Sequence, residues 1–282
     1  MGRKESPERK NGLPEEAPPP YSEGPAGTSS ASAVLPQPST SQTQPKQNYQ
    51  AGPPVQINRQ FPIAFSVYHG STFSRTYALG EHQAQPLYAI STHTGWSGQP
   101  DVVLHSGPSD SSPPLAGVDA GTFSRSATVE LPPLPGSRLA AAQEPLNFSG
   151  FSNGTHGFTI EVGSTGRREP FEWRHSHGTE VDSLGGSSAG WKLIRLATDA
   201  PGGEGADNGA HFVGGGSQSS DGKEVVAVWS NARMSMSKIL NFRFLGSGAT
   251  GVLGERWAVM AVITALRIWD KERKASNGAA AG

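Results

Sequence analysis

The chain has 282 residues, a formal net charge of −1 and no cysteine. This length admits one or two domains. The missing cysteine excludes a disulfide framework and thiolate chemistry. Near-neutral charge gives no global drive toward nucleic acid or an anionic membrane, so no nucleic-acid partner is expected and only a local patch could contact lipid.

Residues 1–56 hold eleven of the 23 prolines and no Trp, Phe or Ile. Such a segment cannot bury enough apolar area to offset chain entropy, which predicts a disordered Pro/Ser/Gln-rich tail. Its start lacks the apolar stretch of a secretory signal, which points to a cytoplasmic location. The sequons at Asn147 and Asn153 are therefore expected to stay idle. Met1-Gly-Arg-Lys-Glu-Ser6 fits a loose myristoylation pattern, but Arg3 and Pro7 suit that reaction poorly. The sharpest motif in the tail is Pro18-Pro19-Pro20-Tyr21. A polyproline II segment is already extended and docks at little entropic cost in the aromatic grooves of WW-type domains. A WW-domain partner of the ubiquitin-ligase type is the expectation, with Tyr21 inserted beside the prolines.

The folded domain is predicted over 57–275. Short β-type runs recur there, separated by Gly, Pro, Ser and Asp clusters. They are Ile63–Tyr68, Ser74–Leu79, Leu87–Thr92, Val102–His105, Leu115–Val118 and Ser126–Leu131. Then come Phe158–Val162, Phe171–His175, Trp191–Leu196, Glu224–Trp229 and Ile239–Leu245, with a further short piece at Glu180–Leu184. Two stretches interrupt them: 132–156, with one helical turn at Ala140–Gln143, and the Gly-rich loop 199–221. About twelve strands without intervening helices imply antiparallel pairing, because parallel strands need long crossovers. Closure removes the edges and creates an interior.

One strong helix signal follows, over about 253–273, leaving 276–282 as a disordered C-terminus. The run Trp257–Leu266 is uncharged and apolar around almost its whole circumference, so lipid or protein must enclose it. A span needs at least ~17 apolar residues, and Arg256 and Arg267 bound this run too closely. No transmembrane span is expected. The helix is predicted to fill a β-barrel, burying Trp257, Met260, Ala261, Ile263, Ala265, Leu266 and Trp269. Gly246-Ser-Gly-Ala-Thr-Gly251 precedes it and matches Gly-x-Gly-x-x-Gly. A dinucleotide site needs a second parallel strand after the helix, and none follows Asp270. The glycines are read as a sharp turn into the barrel.

Strand alternation places Phe171, Trp173, His175 and His177 on one face. Two histidines two apart fall short of the three or four ligands that zinc requires. No Ser/His/Asp or paired-carboxylate motif stands out, so catalytic residues, metal and cofactor are all expected to be none. Arg167, Arg168, Arg174, Lys192 and Arg195 are candidate contacts for an anionic phospholipid, each cation contributing about 1 kcal/mol near such a surface. Interspersed glutamates also allow an ordinary mixed-charge surface.

The blocks Pro86-Leu-Tyr-Ala-Ile-Ser-Thr-His-Thr-Gly-Trp96, Phe171-Glu-Trp-Arg-His175, Gly190-Trp-Lys-Leu-Ile-Arg195 and Leu253-Gly-Glu-Arg-Trp-Ala258 resemble the tubby C-terminal-like superfamily, which includes LURP-one-related proteins and phospholipid scramblases, in its filamentous-fungal members. The resemblance covers about residues 60–275. It implies a twelve-stranded barrel threaded by a hydrophobic C-terminal helix, and phosphoinositide or other lipid contact at the barrel surface. No phosphoinositide motif carries over residue by residue. The expected function is a non-enzymatic adaptor or membrane-lipid-associated binding protein, peripheral at membranes. The alternative is a small-ligand or metal-dependent barrel with a pocket of His175, His177 and Trp173.

Overall fold

A computed structural model describes residues 60–70, 76–94, 97–120, 126–133, 140–150, 154–163, 166–197 and 217–280. The tail 1–56, with its Pro18–Tyr21 motif, lies outside the described residues. Twelve strands form one closed barrel. In chain order they are β1 (Ala64–His69), β2 (Thr76–Gly80), β3 (Tyr88–Thr92), β4 (Val102–His105), β5 (Pro114–Asp119) and β6 (Ser126–Leu131). They continue as β7 (Ala142–Ser149), β8 (Thr155–Val162), β9 (Arg167–Ser176), β10 (Gly190–Arg195), β11 (Glu224–Asn231) and β12 (Lys238–Phe244). Each strand pairs antiparallel with its sequence neighbours, and β1 closes the ring on β12 through Phe65 opposite Phe242.

Period-2 alternation builds the wall. In β8, His156, Phe158, Ile160 and Val162 are buried while the residues between them are partly exposed. Inward side chains from the strands meet the last helix, α3 (Glu255–Ala280), which runs through the barrel. Trp257, Met260, Ala261, Ile263, Ala265, Leu266 and Trp269 are all buried, as are Val259, Val262 and Ile268 between them. Burial on every side explains the all-round apolar run: each large side chain contributes about 1.5–3 kcal/mol. The buried hydroxyl of this helix is satisfied twice over. Thr264 donates to the Met260 carbonyl at 2.7 Å and accepts from Trp173 Nε1 at 2.9 Å. Among the described residues no helix is long and apolar enough to cross a membrane.

Four expectations are corrected. The stretch 132–156, expected as a loop with a helical turn, contains β7. Pro145 concealed it, because proline reads against a strand. Here Pro145 sits opposite Thr128 of β6, while β8 pairs only with Asn147–Ser149, so the missing N–H is not needed on the second side. Glu180–Leu184 is not a strand but lies in and after the short helix α1 (Thr179–Asp182), followed by a turn. Residues 276–280, expected to be disordered, extend α3, for which Ala275, Ala279 and Ala280 are good formers. The glycine motif is more than a turn: it forms helix α2 (Gly246–Thr250). Gly246 has φ +48°, and a Cβ there would meet Glu224 Oε1 at 2.4 Å. A Cβ on Gly248 would meet the Val226 carbonyl at 2.3 Å, and Gly251 closes the helix at φ +81°. Gly246 and Gly248 are thus consumed by close packing on β11, and Gly251 by the left-handed end of the helix.

Candidate functional site

α3 leaves the barrel at the end where β10 begins, as the bond from Trp191 Nε1 to Glu272 Oε1 at 2.8 Å shows. Its last charged turns therefore stand in the mouth of the barrel, and helical geometry sends neighbouring residues to different walls. Toward β4, the fully buried Asp270 holds Arg273 at 2.6 Å and Lys274 at 2.7 Å. Lys274 also reaches Asp101 at 3.2 Å and donates to the His93 carbonyl at 3.0 Å. Toward β10, burial pushes the Glu272 carboxyl up from its ordinary value, against the Trp191 bond and the Lys271 charge, which lower it.

Toward β5–β8 the arrangement differs. Arg267 and Lys271, one helical turn apart, line a cavity of about 190 Å³ with His156, Phe148, Leu146 and Ala127. The Arg267 side chain is 14% exposed, and its carboxylate neighbours stand off at 3.6 Å (Asp101) and 3.8 Å (Asp270). Those separations exceed hydrogen-bond length. The Lys271 ammonium lies 4.0 Å from the Phe148 ring centroid and has no ion pair among the described residues. Burial, then the Arg267 charge, pushes the Lys271 ammonium down from its ordinary value, partly offset by Glu272. His156 is packed between Phe148 and Trp191 at ring distances of 5.0 and 5.5 Å. Burial, followed by the Lys271 and Arg267 charges, lowers its pKa from 6.5 to about 4, so it is neutral at pH 7. The cavity thus has an apolar floor and a cationic wall, and its imidazole carries no charge of its own.

At the same end, the β11–β12 connection presents Met234 and Met236 fully exposed, between Arg233 and Lys238. Met234 takes φ +53°, a backbone region that large residues rarely adopt.

The residues named from sequence fall elsewhere. Arg195 is corrected: it is buried, bound to Glu169 at 2.6 Å, and cannot face a lipid surface. Arg167 pairs with Glu169, Arg168 with Glu144 at 2.6 Å, and Arg174 with Glu172 at 2.6 Å and Asp221 at 2.8 Å. Lys192 is half-buried beside Arg174. These basic residues are largely spoken for by carboxylates. The pocket of His175, His177 and Trp173 does not form. Trp173 is sealed in the core, whereas His175 and His177 are exposed at the rim with rings 5.2 Å apart. Burial and then the His177 charge lower the His175 pKa. No group of three or more metal-ligating side chains forms among the described residues.

One arrangement escaped sequence reasoning. Ser91 Oγ lies 2.9 Å from His105 Nε2, and His105 Nδ1 lies 2.9 Å from the Ser112 carbonyl. Donation by Nδ1–H to that carbonyl leaves Nε2 to accept from the hydroxyl. These residues line a groove of about 510 Å³ outside β3–β6. Yet Ser91 is paired with Thr76 on one side and Val103 on the other, so its backbone N–H is committed to the sheet and offers no oxyanion donor. Two Gly-x-Ser-x-Gly stretches also occur. One, Gly150–Gly154, lies partly outside the described residues. The other, Gly186–Gly190, leads into β10 instead of forming a strand-to-helix elbow.

In comparison with known proteins, the chain matches no family model, no curated protein and no solved structure.

Proposed function

We propose that this chain is a non-enzymatic cytoplasmic binding protein that docks on anionic phospholipid through the barrel end from which α3 emerges. The exposed Met234 and Met236 between Arg233 and Lys238 carry this reading. Two large apolar side chains at a hairpin tip gain about 1.5–3 kcal/mol each when removed from water. A bilayer would receive them, and its anionic headgroups would add about 1 kcal/mol for each neighbouring cation. Contact therefore requires no pre-formed groove. The tail motif Pro18–Tyr21 makes the protein an adaptor, tethering a WW-domain partner of the ubiquitin-ligase type to that surface; Tyr21→Ala should abolish WW-domain pull-down.

Flotation of the full chain with vesicles tests the docking. Wild type is expected to float with vesicles containing phosphatidylserine and to remain behind with phosphatidylcholine alone. The double change Met234→Asp and Met236→Asp should remove flotation and leave the circular dichroism spectrum unchanged. Equal flotation of wild type and double variant would overturn the assignment of the hairpin.

A further inference from the structure

We infer that the cavity between α3 and β5–β8 is a binding site for a small organic oxyanion: a carboxylate or phosphate head on a compact apolar body. Three nitrogen-bearing side chains, Arg267, Lys271 and His156, converge there. Arg267 has two long ion pairs, at 3.6 Å to Asp101 and 3.8 Å to Asp270, and the exposed Lys271 faces an aromatic ring. His156 is 6% exposed and makes no hydrogen bond among the described residues. Arg267 is partly exposed and Lys271 exposed beside the cavity, so both can turn donors toward a bound oxyanion, which would add charge-assisted hydrogen bonds. One turn of separation on α3 suits a single head held between them, with Arg267 offering its planar fork and Lys271 a point charge.

The rest of the lining sets the body of the ligand. Phe148, Leu146 and Ala127 form an apolar surface below the cations, and the small side chain of Ala127 opposite Leu146 leaves the space open. At about 190 Å³ the cavity lies below the ~300–1,000 Å³ of drug-sized sites, so it takes a compact group such as a single ring or short chain. Neutral His156 adds an edge for packing or a hydrogen bond without adding charge. This inference goes beyond membrane docking, because the cavity would take a soluble ligand whether or not the methionine hairpin meets a bilayer.

Titration calorimetry of the full chain with phenyl phosphate, phenol and inorganic phosphate tests it. Phenyl phosphate is expected to bind at least about tenfold more tightly than either half of the molecule. Lys271→Gln should weaken it by about tenfold or more, the effect of losing a charge-assisted hydrogen bond. Ala127→Leu should abolish binding by filling the space; should that variant not fold, Ala120→Leu at the cavity edge serves the same purpose. Phenol binding as tightly as phenyl phosphate, or unchanged affinity in Lys271→Gln, would overturn the site. Vesicles containing phosphatidic acid identify the source of the head. Loss of both vesicle and phenyl phosphate binding in Lys271→Gln supports a lipid headgroup, and loss of phenyl phosphate alone supports a soluble ligand. If vesicles fail to bind wild type while phenyl phosphate binds, the docking reading falls and the cavity stands.

Discussion

The two ends of the barrel treat their cations in opposite ways. At the end capped by α2, Arg195 sits among carboxylates: Glu169 at 2.6 Å and Glu224 at 3.6 Å. Ser247 then donates its backbone N–H and its hydroxyl to Glu224, each at 2.7 Å. Burial pushes the Glu169 carboxyl up, but hydrogen bonds and charge from Arg195 and then Arg167 outweigh this and hold it below its ordinary value. At the mouth, Arg267 is partly exposed with Asp101 at 3.6 Å and Asp270 at 3.8 Å, and the exposed Lys271 beside it has no ion pair among the described residues. A buried charge enclosed by its partners fixes architecture, whereas solvent-accessible cations beside open space remain able to take an anion from outside the chain.

The sharpest way to break this contrast is to empty the saturated end. Arg195→Met leaves Glu169 and Glu224 buried without their shared cation and should cost about 3–5 kcal/mol, read from the urea unfolding midpoint. An effect as small as that of a surface change would show that the cluster is not structural.

A smaller effect is expected from acid at the mouth. His156 has a pKa of about 4 in the folded protein, against an ordinary value of 6.5 for the unfolded chain. Between these values the unfolded chain holds more protons, so this residue's contribution to stability is complete above about pH 6.5 and is lost as pH falls toward about 4. The loss by pH 4.5 is on the order of 2–3 kcal/mol. Denaturation at pH 7.5 and 4.5 should therefore show a shallower acid loss in His156→Phe than in wild type. Equal losses would place His156 in a more solvated setting.

The smallest effect belongs to Lys271→Gln, expected within about 0.5 kcal/mol of wild type or slightly stabilising, because no ion pair is lost and repulsion from Arg267 is relieved. A large destabilisation would mean that Lys271 is structural. The same side chain is thus predicted to matter little for folding and strongly for binding.

The architecture was more legible in the sequence than the site. β4 and β6 agree with their apolar runs residue for residue. The charge-free stretch ending at Leu266 identified a helix enclosed by strands, since burial on all sides imposes a composition that can be read locally. β7 escaped because Glu144 and Pro145 break the alternation, and their roles depend on Arg168 and the unpaired side of the strand. The cavity escaped for a related reason. Arg267 and Lys271 read as the charged end of a core helix, while Ala127, Phe148 and His156 lie more than a hundred residues earlier on three different strands. Nothing in local spacing reveals that the carboxylates nearest Arg267 stop short of it. Conversely, the basic residues that looked available, such as Arg168 and Arg174, were neutralised across neighbouring strands.

Thermal unfolding with and without saturating phenyl phosphate, in wild type and in Lys271→Gln, tests the contrast most directly. A ligand that binds only the folded state stabilises it by about 2.7 kcal/mol at a hundredfold excess over its Kd. Wild type should show a clear rise in Tm with ligand. Lys271→Gln, with a nearly unchanged Tm in the absence of ligand, should show little or none at the same concentration. Equal shifts in the two proteins would contradict the view that the cations lining the mouth cavity are there for a ligand.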